Sequence, residues 1–166
     1  MTRDSLPGTT TRVLLLTLLA LLPFGVAAHG NKQAQQADTP LYSGQDSDAG
    51  RAVQSFHRAL RTGNREAVLA ALAEDVVIFE GGKVERSREE YAGHHLGADM
   101  KFLQQLQPTQ LELQVQEGRE LAYAYGRSRL QGDYQGKPLD LLAMETLVLR
   151  RMDSGWKIVQ IHWSSK

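Results

Sequence analysis

The chain has 166 residues, a length that suits one domain. Its 19 basic and 19 acidic side chains cancel, so its charge gives no argument for nucleic acid or an anionic membrane as partner. With no cysteine it has no disulfides and must hold together by its core.

The first 28 residues read as a secretory signal peptide. Arg3 and Arg12 precede an unbroken apolar run, Val13 to Leu22; Pro23 and Gly25 break it, and Val26-Ala27-Ala28 offers small residues to a peptidase. The run is about half of the roughly 20 residues a membrane span needs, so no span is expected once this segment is removed. The mature chain keeps 17 basic and 18 acidic side chains. Its destination is periplasmic or secreted. Residues 29–47 are polar, show no apolar period, and read as a flexible linker. Cleavage after Ala28 would make His29 the new terminus, a position from which an amine and imidazole can chelate copper.

The domain proper is expected over residues 48–166. A first helix runs from about Asp48 to Thr62, capped by Ser47 or Asp48, with Ala49, Val53, Phe56 and Leu60 on one face. Gly63-Asn64 ends it, and a second helix follows over Arg65 to Ala73. A strand is expected at Val76–Glu80, Gly81-Gly82 turns, and Lys83–Glu85 pairs back. Ser87-Arg88-Glu89-Glu90 is a capping box opening a longer third helix, with Tyr91, His95, Ala98, Phe102 and Leu106 on one face. Gly93 and Gly97 weaken that helix by roughly 1 kcal/mol each, and Pro108 ends it.

Strands make up the rest. Leu111, Leu113 and Val115 alternate with Glu112, Gln114 and Gln116, so one face is solvated. From Leu121 to Leu130, Tyr123, Tyr125, Arg127 and Arg129 alternate with small residues suited to the inside of a sharply curved sheet. Leu141–Arg150 and Trp156–Trp163, joined by Asp153-Ser154-Gly155, read as a β-hairpin apolar on both faces. There is no internal repeat, P-loop, dinucleotide glycine pattern or G-x-S-x-G.

Gly155-Trp156-Lys157-Ile158-Val159-Gln160-Ile161-His162-Trp163-Ser164, together with this element order, resembles the NTF2-like (SnoaL-like) family. The resemblance implies an α+β fold, a strongly curved antiparallel sheet wrapped around helices as a cone with a pocket. It also implies a homodimer through the sheet, since relatives often pair there. Val53 to Asn64 and Ala73 to Glu80 resemble the opening of the family's ketosteroid isomerases, which use a tyrosine on the first helix and a carboxylate after the first strand. Here the carboxylate position is Glu80, but the tyrosine position is Phe56, which cannot donate a hydrogen bond. Isomerase activity does not carry over on these residues.

Spacing nominates the site. His95 and Asp99 are i, i+4, and Tyr91 stands one turn earlier. His162 shares strand parity with Gln160 and Ile158; if that face looks into the cone, His162 meets the third helix, with Glu80 at the mouth. Val159, Ile161 and Trp163 would then point outward. Met144 and Thr146 share a face, with Glu145 opposite. Each has a bland alternative: His94 and His95 as helix-surface residues, His162 as a core histidine, Glu80 as a solvated strand end, Asp99 as a partner of His95, and Arg127 as a surface cation rather than a ligand contact.

Three function classes follow. The preferred one is a pocket protein binding a small, partly apolar molecule at His162, His95, Glu80, Tyr91 and Asp99, without catalysis and without a cofactor. The second is an acid–base lyase, isomerase or hydrolase using Glu80 and His162. The third is a copper or zinc binder, for which no tight ligand motif such as H-E-x-x-H is present. The signal-peptide reading predicts a mature protein that begins at His29, or at Ala28 as second choice; N-terminal sequencing of exported material that still began at Met1 would contradict it.

Overall fold

The computed structural model describes residues 40–166. The expected signal peptide and residues 29–39 of the expected linker lie outside the described residues. The rest of that linker is not featureless. Tyr42–Ser43 (β1) lies parallel to Leu106–Glu117 (β4), and the Tyr42 hydroxyl donates to the Gln110 carbonyl at 2.7 Å. β1 also covers Gln114, which pairs with Ser43 and is buried, so the expected solvated face of β4 is partly shielded.

Asp48–Thr62 (α1) matches the apolar period. Ser47 caps it by accepting from the Gly50 amide at 3.0 Å, and Gly63 closes it in the left-handed conformation (φ 70°), which favours glycine. Asn64 caps Arg65–Ala71 (α2), which ends two residues early because Leu72 and Ala73 already belong to Leu72–Glu80 (β2). Lys83–Glu85 (β3) pairs back on β2.

The expected third helix is two helices, Arg88–Gly93 (α3) and Leu96–Gln105 (α4). Ser87 accepts from the Glu90 amide at 3.0 Å, and Glu90 returns a bond to the Arg86 amide. The break falls at His94-His95, between the two glycines that weaken the run, and Glu85 of β3 takes the His95 ring. Pro108 lies inside β4 rather than ending a helix. Beyond the reach of the two-residue β1, that side of β4 has no partner strand among the described residues, so a missing amide breaks no ladder bond there.

Leu121–Tyr134 (β5), Lys137–Met152 (β6) and Gly155–Ser165 (β7) complete a seven-stranded sheet in the order β1-β4-β5-β6-β7-β2-β3. It is curved and unclosed, largely antiparallel, with β2–β7 and β1–β4 parallel. Its concave face packs on the helices through Ala124, Leu147, Leu149, Ile158 and Ile161. Small residues line the inside of β5 as expected: Ala122, Ala124 and Gly126 are buried, while Tyr123, Tyr125 and Arg127 point out. At Gly126 a side chain would meet the Glu112 carbonyl oxygen at 2.7 Å, so the strands approach there as only glycine permits.

One irregularity decides which residues face the helices. Val148 pairs with Gln160 and Leu149 with Ile158, so Val159 is an extra residue in β7. Such a bulge resets the two-residue alternation. Trp156 and Ile158 face inward before it, Ile161 and Trp163 after it. Reading one parity through the whole strand therefore inverts its end. Ile161 and Trp163 are core-facing, and His162 is on the outer face. Among the described residues no helix is long and apolar enough to cross a membrane.

Candidate functional site

The bulge and the registers align one row of side chains across four strands of the concave face. Gly126 pairs with Glu145, Glu145 with Trp163, and Trp163 with Glu80. Trp163 is the centre of this row. Its ring stacks on Phe56 of α1 (centroids 6.3 Å, 6° between planes) and lies 6.3 Å from the Tyr91 ring of α3. Phe56 is thus a core residue.

Glu145, which parity on the sequence set aside, is the inward carboxylate of β6. The indole N–H of Trp163 donates to its Oε2 at 2.8 Å, and His57 of α1 lies 2.7 Å from its Oε1 through Nε2. A carboxylate only accepts, so His57 Nε2 carries the proton. Burial works against both charges, but each partner outweighs it for the other. The charge and hydrogen bond of Glu145 raise the His57 pKa above its ordinary value. The charge and hydrogen bond of His57, with the Trp163 N–H, hold Glu145 below the usual carboxylate range. The pair is an ion pair at the inner end of a cavity.

That cavity has a volume of about 280 Å³ and lies between α1, α4 and the concave sides of β4, β5, β6 and β7. Leu60, Phe102, Leu103, Leu130, Leu141 and Trp163 supply its apolar wall. A second pair of acids stands away from His57. Glu80 ends β2 and is itself exposed to solvent; partial desolvation by the surrounding wall, with the nearby Asp99 carboxylate, pushes it up to about 6. Burial also raises Asp99, offset only in part by the Tyr91 hydroxyl, which donates to Asp99 Oδ2 at 2.8 Å, and by the charge of His95. The Tyr91 phenol, buried and beside Asp99, is pushed well above its ordinary range. Chemically, this end can hold or exchange a proton near neutral pH.

The five residues nominated from spacing divide accordingly. Glu80 and Asp99 line the cavity. Tyr91 stands behind Asp99, and its hydrogen bond spans the break between α3 and α4. His95 turns its Nδ1 to the buried Glu85 and does not line the cavity. His162 is exposed on the outer face, its ring edge-on to Phe79 at 6.4 Å. Against expectation it stands outside this cavity, and the cause is the Val159 bulge; with Phe79 and Glu80 it lines a separate pocket at the β2–β3 turn. Among the described residues no three or more of His, Asp and Glu gather as a metal seat.

His57, Arg58, Arg61 and Gln54 line the cavity and were not foreseen. A signal existed. They lie at i, i+3, i+4 and i+7 from Gln54, one polar stripe of α1 beside its apolar face.

The comparisons with known proteins agree with this architecture. The family model for the SnoaL-like domain matches residues 50–166. A solved structure from Shewanella frigidimarina NCIMB 400, described as a candidate ketosteroid isomerase, is 48% identical, with 73% of this chain and 98% of that chain covered and a TM-score of 0.70. A candidate calcium/calmodulin-dependent protein kinase II association domain from Xanthomonas campestris shares the fold at 24% identity, covering 75% of this chain and 92% of its own, TM-score 0.59. An NTF2-like protein with a cystatin-like fold from Novosphingobium aromaticivorans does so at 15% identity, covering 70% and 78%, TM-score 0.58. No curated protein matches the chain significantly. With the family model spanning residues 50–166, this chain belongs to the SnoaL-like family of NTF2-like domains.

Proposed function

We propose that this domain, exported after loss of residues 1–28, receives a small, partly apolar molecule in the cavity between α1, α4 and the concave face. The observation that carries the reading is the make-up of the wall, hydrocarbon and ring surface around a few fixed polar groups. That mix holds and orients small organic ligands. At about 280 Å³ the cavity sits at the lower end of the roughly 300–1,000 Å³ of ligand sites, which favours a single ring or a short chain. Native mass spectrometry of the protein purified from its source is the test. A small-molecule mass above that of the chain is expected, and it should vanish in Ala143→Phe, which fills the cavity from β6. An adduct unchanged by Ala143→Phe, or none in either protein, would contradict the reading.

A second reading, proton transfer on the bound molecule, is favoured by one observation: Glu80 at about 6 with Asp99 also raised beside it. Glu80 would take a proton from the bound molecule and return it, with the Asp99 carboxylate beside it keeping its pKa high. The likeness to a candidate ketosteroid isomerase supports this class of chemistry. His162 has no part in it, being outside the cavity. Carbon-13 NMR titration of the Glu80 carboxyl should show a midpoint near 6. A midpoint at the ordinary value of 4.5 would remove the acid–base reading.

The outer face supports a two-fold homodimer. Cross-strand rows place Tyr123 beside Val148, Tyr125 beside Thr146, and Arg127 beside Met144. The Tyr123 and Tyr125 rings stack at 6.3 Å, and Leu142 and Met144 are 49% and 54% exposed. An apolar patch of this kind on an open sheet marks an interface. These residues, with His162 and Phe79, replace Ile161 and Trp163 in the outward set. Light scattering should give the mass of two chains at micromolar concentration, and Met144→Lys should shift it to one; a single-chain mass for the unmodified protein would contradict the dimer.

A further inference from the structure

We infer that the polar stripe of α1, His57, Arg58 and Arg61, seats the anionic group of the ligand, so that the molecule this cavity takes is a small carboxylic acid on an apolar body. The inference rests on the cavity reading above and narrows it. Three observations carry it.

The first is placement. An amphipathic helix normally turns its polar stripe to solvent. Here Gln54 and His57 are half-buried in the cavity wall, and Arg58 and Arg61 line it while remaining exposed to solvent. The second is uncompensated charge. Arg58, Arg61, Arg65, Arg86, Arg119 and Arg151 have no ion pair among the described residues, and of these only Arg58, which reaches the Ser55 hydroxyl, and Arg61 line the cavity. The one carboxylate close to the stripe, Glu145, already serves His57 and Trp163. Its bond to Nε2 leaves the Nδ1–H of the His57 imidazolium as a further donor on the same stripe.

The third is separation. The groups that shift Glu80 and Asp99 include no arginine: Glu80 responds to desolvation and Asp99, and Asp99 to desolvation, Tyr91 and His95. The cavity therefore has a cationic end on α1 and an acid end at β2 and α4, with Leu60, Phe102, Leu103 and Leu130 between them. A carboxylate matches the first end through charge-assisted, fork-like hydrogen bonds. The apolar body fills the middle.

Phenylacetate and its neutral isostere phenylacetamide test the inference by titration into the purified protein. The indole N–H signal of Trp163, which donates to Glu145 beside the cavity, reports where each probe sits. Both probes should move that signal, with phenylacetate binding about tenfold more tightly or better. In the Arg58→Gln/Arg61→Gln double variant the ratio of the two affinities should fall to about 1. Equal binding of the two probes by the unmodified protein, or a preference that survives in the double variant, would overturn the anion seat and leave the cavity reading standing. If neither probe moved the Trp163 signal, both would fall.

Discussion

Glu145 is a carboxylate on the concave face of a sheet whose neighbours along the strand, Ala143 and Leu147, are apolar. A charge in such a place persists only if it is paired and hydrogen-bonded. His57 and Trp163 do this from two different elements, α1 and β7. The two side chains are half-buried, 21% and 15% exposed, so breaking one side costs less than the about 3–5 kcal/mol of a fully buried pair, in which the other charge is left stranded. The rest of the site depends on this one constraint. It fixes the rotation of α1 against the sheet, and that rotation carries Phe56 onto Trp163 and the polar stripe into the cavity.

The same row explains why a cavity exists there. On β5, Ala122 and Ala124 oppose Leu149 and Leu147, and a dry core forms where the large residues of β6 meet α1. One step along, Gly126 opposes Glu145, and the hydrocarbon gives way to polar groups. From that row toward the open end of the sheet, Ser128, Ala143 and Ser165 are too small to reach α4. Core and cavity are thus two halves of one concave surface, divided at the Glu145 row. The Tyr91–Asp99 bond holds the α3–α4 break at the far wall, where desolvation raises both Asp99 and Glu80.

Much of this was legible before the structure. The limits of α1, its caps, the two-residue alternation of β5 and the final hairpin all follow from local rules, and local rules sufficed because each element's apolar face agrees with its period. Glu80 and Asp99 were legible as well, one from a strand end and one from helical spacing. For His162 and Trp163, what failed was the assumption that strand parity runs unbroken through β7. A bulge has no composition signal in Ile158-Val159-Gln160, and one extra residue moved His162 outside and Trp163 inside. The error propagated to β6, where Glu145 was set aside because Met144 and Thr146 were preferred. The break between α3 and α4 was half legible: Gly93 and Gly97 marked the weakness, but Glu85, the partner that claims His95, comes from another element.

The account stands or falls on the charge of the His57–Glu145 pair, and a nitrogen-15 NMR titration of the His57 ring measures it directly. The expected result is an imidazolium that keeps both ring protons past pH 6.5, the ordinary histidine value, with Nε2–H bonded to Glu145, and that reverts toward or below that value in Glu145→Gln. A His57 ring that loses its charge below pH 6.5 in the unmodified protein would contradict it. The pair would then be a neutral imidazole donating to a carboxylate, and the cationic end of the cavity would rest on Arg58 and Arg61 alone.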